Sequence, residues 1–178
     1  VEGIGVIWRA KDEDNFWCFE VGSRQCQLAI KENGVWSRFP ATKWHRLAPN
    51  VLNSLQVSDD GEDIRLYLNG ELVHGTSFAD RRLQEGTGVG IRAVGSANTA
   101  LLRSFEVHPR DIPVPPAFDL GKPWLAEGSR MILRDDFGGS VSDLAGRTTS
   151  VGARKWKKEI GQGVFQVTGE RMARVLAT

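Results

Sequence analysis

Asp63–Gly75 reads DIRLYLNGELVHG, and the fold class follows from this stretch. Ile64, Leu66 and Leu68 alternate with Arg65, Tyr67 and Asn69, the period of two expected of an extended strand that is apolar on one face. Asn69-Gly70 then provides two adjacent residues that accept positive φ, as a two-residue type I′ turn requires. Pairing across the turn sets Leu68 opposite Glu71, Leu66 opposite Val73 and Arg65 opposite His74. One face is therefore Ile64, Leu66, Leu68 and Val73, and the other Arg65, Tyr67, Leu72 and His74.

The pattern extends outward. Upstream, NSLQVSDDGEDIRL predicts a second hairpin, with Leu55 and Val57 on one side and Asp59-Asp60-Gly61 as the turn. Further strands are expected over GIGVIWRA, NFWCFEV, QCQLAI, GVWSRF, GVGIRAVG, ALLRSFEVH, RMILRDDF and GVFQVTG. In these, Trp17, Phe19 and Val21 share a face, as do Phe105 with Val107 and Phe165 with Val167. Long stretches of helical period are lacking, and one helical turn is expected near Asp80–Glu85. Short strands between Gly-, Asn- and Asp-rich turns predict an all-β, two-sheet antiparallel sandwich.

The 178 residues are 40% apolar and 25% charged, ordinary globular values, and the net charge of +1 gives no field directing the chain to nucleic acid. No apolar run is long enough for membrane insertion. The start at Val1 without Met suggests a processed chain or an excised piece. Pro109, Pro113, Pro115, Pro116 and Pro123 mark a stiff connection over 110–128. It separates residues 1–109, the main part of the sandwich, from 129–178, which are too few for a confident core of their own. Cys18 and Cys26 flank a turn at Gly22-Ser23 and would lie about opposite each other. They are read either as a cross-strand disulfide or as two buried thiols, the thiols being preferred because direct cross-strand geometry strains the bridge.

The run from Gly3 to Val107 resembles the laminin G-like and wider concanavalin A-like jelly-roll superfamily. The resemblance is carried by GIGVIWRAKDEDNFWCFEV, NSLQVSDDGEDIRLYLNGELV, Asp80 followed by GTGVGIRA, and LLRSFEV. The later block, RDDFGGSVSDLAGRTTSVGARKWKKEIGQGVFQVTG, is similar to the opening of the same domain type, with its Asp-Asp-Phe start, Leu-x-Gly-Arg segment, Trp and Gly-x-Phe-x-Val strand. The strand order is thus that of a circularly permuted jelly roll. Residues 129–178 would complete the same sandwich, within one chain or by exchange between copies, or begin a following repeat. Tandem repeats of this kind resemble those of actinobacterial phage minor tail proteins and surface proteins, which implies an extracellular or virion-associated location.

Candidate chemistry is sparse. His45, His74 and His108 lack zinc-ligand spacing. The acidic loop Asp12-Glu13-Asp14-Asn15 is of a type that holds calcium in relatives, with Asp136 as a further ligand; the alternative is a turn capped by its own side chains. Gly86, Gly88 and Gly90 precede a strand, not the helix that a phosphate loop needs, and are assigned to turn and backbone packing. The Glu-x-Asp-x-x-Glu strand of sandwich-fold glucanases is missing, and no catalytic triad is evident. Of six tryptophans, Trp8 and Trp17 fall on core-like faces, whereas Trp36, Trp44 and Trp124 lie near turns. Trp36 and Trp44, with Arg65, Tyr67 and His74 of the hairpin's second face, are the candidate ligand-binding residues, since a flat ring matches the C–H face of a sugar. A non-catalytic carbohydrate-binding or adhesion module acting on cell-surface glycan is the leading expectation. A structural module contacting copies of itself or neighbouring repeats is the second, and a glycoside hydrolase or lyase a distant third.

Overall fold

Alternation becomes pairing in the computed structural model, which describes residues 3–22, 24–40, 46–61, 63–73, 78–94, 101–108, 131–158 and 164–176. Among these residues every regular element is a strand and every ladder is antiparallel, so the protein is all-β. The chain divides into two compact units, one holding the first nine strands and the other the last six.

In the first unit the strands are β1 (Gly3–Asp12), β2 (Asn15–Gly22), β3 (Cys26–Glu32), β4 (Val35–Pro40), β5 (Leu55–Asp59), β6 (Asp63–Leu68), β7 (Glu71–Leu72), β8 (Phe78–Ala79) and β9 (Gly88–Val94). They form a five-stranded sheet, β4-β3-β2-β1-β9, and a smaller one of β5, β6, β7 and β8. Asn69 and Gly70 both take positive φ, and Leu68 faces Glu71 as the type I′ turn demands. Asn33 and Gly34 repeat the device between β3 and β4. At the third hairpin, Asp59 Oδ1 accepts from Gly61 N–H and Asp60 Oδ1 from Asp63 N–H, closing the turn after β5.

The apolar residues of the two sheets meet in one core. Trp8, Trp17, Phe19, Val21, Leu28 and Ile30 come from the large sheet, and Ile64, Leu66, Leu68 and Val73 from the small one. Leu55 and Val57, opposite Leu68 and Leu66, pack against its rim. Trp8 and Trp17 are buried, as their strand faces predict, and stack with centroids 6.0 Å apart.

Three expectations need correction. Asp80–Glu85 is no helical turn: Leu83 adopts a φ of 56° and Gly86 N–H closes onto its carbonyl, which breaks helical continuation. Cys18 and Cys26 are buried thiols with no bridge between them, the preferred reading, but they do not lie opposite each other: they stand on opposite faces of the sheet. Gly22 N–H donates to the Gln25 carbonyl, and the resulting register pairs Cys26 with Val21 and Cys18 with Ala29. The face of β6 that carries Arg65 and Tyr67 is not an open platform, because Tyr67 keeps only 7% of its surface. It sits on a central strand between Gln56 and Leu72, whose side chains flank it on the same face.

The second unit contains β10 (Leu101–Leu102), β11 (Phe105–Val107), β12 (Leu133–Asp135), β13 (Ser142–Asp143), β14 (Val164–Val167) and β15 (Ala173–Leu176). The strand expected over ALLRSFEVH is thus two, divided at Arg103-Ser104. One sheet runs β10-β15-β14-β13, and β11 pairs with β12. Among the described strands, those beyond residue 131 pair with each other and with β10 and β11. Phe137, Leu144, Val167 and Ala173 are buried here, and so is the carboxylate of Asp135.

Candidate functional site

The outer face of the five-stranded sheet, turned away from the shared core, carries a grouping of aromatic and charged side chains. Register defines its members. Trp36 faces Lys31, which faces Phe16; Arg38 faces Ala29, which faces Cys18; and Arg92 faces Gly5, which faces Glu20. The β4 and β9 strands are the two edges of this sheet, about 19 Å apart if it were flat. Yet the guanidinium of Arg92 lies 4.8 Å from the centroid of the Trp36 ring. The sheet is therefore rolled inward on this side, an exaggeration of the ordinary strand twist.

Small residues permit the rolling. Gly5 and Ala29 leave room for the indole and guanidinium side chains that cross this face, and both are buried together with Phe16, Cys18 and Glu20. Arg92 crosses Gly5 to form an ion pair with Glu20. Burial, with the negative charge of Glu20 next, raises the pKa of the Cys18 thiol far above its usual range, so it is a packing residue and not a nucleophile. Phe16 meets Trp36 edge to face at 5.4 Å and holds the indole in place. Arg38 sits 5.1 Å from the same ring and is exposed. Lys31 donates to Asp14 Oδ1 at 2.6 Å.

A second polar grouping closes one end of the core. Arg9 has a φ of 48° where the β1 register shifts, and this turns its side chain inward. Its guanidinium makes a bidentate pair with Asp59, 2.6 Å on each arm, and donates to the carbonyls of Asp80 and Arg82. Gly86 presses so closely on Arg9 that a Cβ there would collide with its carbonyl. The assignment of this glycine to close backbone packing thus has a direct cause. Burial pushes the Asp80 carboxyl up, but hydrogen bonds from Arg82 and the charges of Arg82 and Arg9 outweigh it and hold the pKa below the ordinary value.

In the second unit, the Asp-Asp-Phe, Leu-x-Gly-Arg and Trp segments converge. Asp135 accepts from Trp156 Nε1 at 2.7 Å, from the Phe137 N–H at 2.9 Å and from Arg147 Nε at 3.4 Å. Trp156 packs on Phe105 and Phe137. This is a buried carboxylate fully engaged as an acceptor, which makes it a structural pin. A separate depression of about 370 Å³ in this unit is lined by Leu101, Val141, Gln166, Thr168, Glu170 and Met172.

The candidate residues are not gathered in one place. Trp36 lies on the rolled face. Arg65 stands on the small sheet beside Asp63, 3.2 Å away, and Tyr67 is buried there. Trp44 and His74 fall outside the described residues, as do His45 and Trp124. The acidic loop is a self-capped turn: Asp12 accepts from the Asn15 amide and the Asp14 N–H, which lower its pKa, and Asn15 accepts from Asn33 N–H. With the Lys31 ammonium on Asp14, the loop does not present the converging oxygens that calcium requires. Asp136 belongs to the other unit, where the Ser150 hydroxyl and Gly138 N–H lower its pKa. Among the described residues no three His, Cys, Asp or Glu side chains are grouped to hold a metal ion, and no helix is long and apolar enough to cross a membrane.

Sequence reasoning passed over Arg38 and Arg92. Alternation alone puts Arg38 beside Trp36 on β4, so that half of the cluster was accessible; Arg92 depends on the rolling of the sheet. No family model matches the chain, and neither a curated protein nor a solved structure does.

Proposed function

We propose that the chain is a non-catalytic carbohydrate-binding or adhesion module, built as a jelly roll of the laminin G-like, concanavalin A-like kind and belonging to a larger surface or phage tail protein. The observation that supports this reading is the rolled outer face of the large sheet, where Trp36 is braced by Phe16 and flanked by Arg38 and Arg92. A concave sheet face with a fixed aromatic ring and outward donors is suited to an extended, hydroxyl-rich chain. Three acids of the two units, each engaged by an arginine, support a binding role over a hydrolytic one. Glu20, Asp59 and Asp135 are committed to Arg92, Arg9 and the Trp156–Arg147 pair. A glycan array probed with the intact chain and with Trp36→Ala, Arg38→Ala and Arg65→Ala tests the proposal. Binding lost with the first two changes and kept with the third is expected; silence across the array, or indifference to all three changes, counts against it.

A second reading, an assembly module whose partner is another copy, draws on the pairing of β10 and β11 with β15 and β12. Strands so far apart in sequence could be supplied by a second chain with every contact preserved. Size-exclusion with light scattering decides: a monomer at high concentration removes exchange, and a stable dimer retains it.

A further inference from the structure

We infer that Asn33 is a site of spontaneous deamidation, from which its twin Asn69 is protected, and that the isoaspartate formed there loosens the β4 edge. The inference is independent of the carbohydrate reading. Both asparagines precede glycine, and both pairs take positive φ: Asn33 and Gly34 at 49° and 81°, Asn69 and Gly70 at 54° and 81°. A glycine in second place leaves its backbone nitrogen open to approach from the preceding side chain. In this reaction the deprotonated Gly34 nitrogen attacks Asn33 Cγ and forms a C–N bond. The Cγ–Nδ2 bond breaks, and the nitrogen leaves as ammonia with protons from water. Water then opens the cyclic imide. Cleavage at Cγ gives aspartate; cleavage at the main-chain carbonyl gives isoaspartate, with an added carbon in the backbone. Water is the only reactant, so the surroundings of each asparagine decide which one reacts.

Those surroundings differ. Asn69 Oδ1 accepts from Ser54 N–H at 2.9 Å, and its amide donates to Asn53 Oδ1 at 3.1 Å. Swinging its Cγ onto the nitrogen of buried Gly70 breaks both hydrogen bonds. Asn33 and Gly34 are exposed, and among the described residues no hydrogen bond reaches the Asn33 side-chain amide. What restrains this turn is the backbone: Asn33 N–H donates to Asn15 Oδ1 at 2.9 Å, and Gly34 N–H to the Asp14 carbonyl at 3.2 Å. The turn leads into β4, an edge strand, and such elements open locally far more often than the whole chain unfolds. Each opening frees the Gly34 nitrogen. The product then acts on the same contacts. An added main-chain carbon at 33 moves the Gly34 N–H off the Asp14 carbonyl, and a new carboxylate arrives between Asp14 and Glu32. Lys31 is already engaged by Asp14. Like charges gathered there weaken the hold on β4, the strand that carries Trp36.

The test is timed incubation of the intact chain in mildly alkaline buffer, which favours loss of the amide proton. Peptide mass spectrometry and labelling by an isoaspartate-specific carboxyl methyltransferase then locate the product. Deamidation at Asn33 should outpace that at Asn69 by about ten-fold or more, the factor that two hydrogen bonds impose. In concentrated urea the two rates should converge, since both then reflect the Asn-Gly sequence alone. Asn53→Ala, which removes the acceptor of the Asn69 amide, should raise the rate at Asn69 and leave Asn33 unchanged. Amide hydrogen exchange across β4 should quicken as Asn33 converts, and Asn33→Gln, aged in the same way, should keep it slow. Equal rates in the folded chain, or a faster Asn69, would overturn the inference. So would an Asn33 that stays intact while urea exposes both residues to reaction. Isoaspartate at 33 with unaltered exchange across β4 would overturn the loosening.

Discussion

Trp17, at the heart of the first unit, and Trp156, half-buried in the second, each donate an indole N–H, but to different acceptors. Trp17 is wedged between Trp8 and Phe39, both at 6.0 Å, and bonds the Arg82 carbonyl at 3.2 Å. Trp156 has Phe105 and Phe137 as ring neighbours among the described residues, and bonds the Asp135 carboxylate at 2.7 Å. Long strands supply apolar walls on both sides of a ring, so a neutral acceptor suffices. Where strands are two to four residues long, as in the second unit, a charged acceptor takes over part of the ordering. The difference teaches that burial of tryptophan and its fixation are separate problems, solved by sheet area in one place and by a carboxylate in the other.

The largest effect that would sharpen this contrast is expected at the apolar centre. Trp17→Ala should cost about 4 kcal/mol in urea unfolding, since little can collapse into the space left. Asp135→Ala should cost about 3 kcal/mol, through the Trp156 and Arg147 donors left without their acceptor. Asp135→Asn, which keeps one acceptor oxygen, should cost less. If Asp135→Ala proves nearly neutral in the same assay, the carboxylate is not what orders Trp156 and the contrast is broken.

How far the sequence foretold this varies from residue to residue. The 55–73 hairpins were legible because alternation and turn chemistry agree there, down to the Leu68–Glu71 pair. The placing of Trp8 and Trp17 in a core followed from the same period. Cys18 and Cys26 are the buried thiols the reading preferred, yet not opposite each other, because a small change in turn length flips every side chain beyond it to the other face. Tyr67 was placed on the predicted side, but whether that side meets water depends on cross-strand neighbours. The short strands Phe78–Ala79, Ser142–Asp143 and Ala173–Leu176 hold too few residues to display a period. Of the site, Trp36 was visible as a ring near a turn. Its guanidinium neighbours belong to the curvature of the sheet, which local pattern does not encode.

Smaller effects probe the edges of the first unit. Gly70→Ala places a Cβ on a residue at φ 81° and should cost about 1 kcal/mol by thermal melting. Least of all, Asp80→Asn should alter acid sensitivity. With a folded pKa below its ordinary 3.8, Asp80 adds stability that is present above about pH 4 and fades as pH falls through the folded value. Its replacement should flatten that part of the stability–pH curve by under about 1 kcal/mol. An unchanged curve would show that Glu32 and the stacking on Trp17 and Phe39 hold Arg82 without help from Asp80.

One omitted carbon underlies the concave face. A methyl at Gly5 would lie 2.8 Å from Cys18 Sγ and 3.2 Å from the Phe19 carbonyl. The headroom at that point is what lets Arg92 pass overhead to Glu20, so any bulk added there must either displace the thiol or lift the arginine. Lifting it would uncouple the two rims of the sheet. The grip on an incoming chain would thus be governed by a position that never touches it.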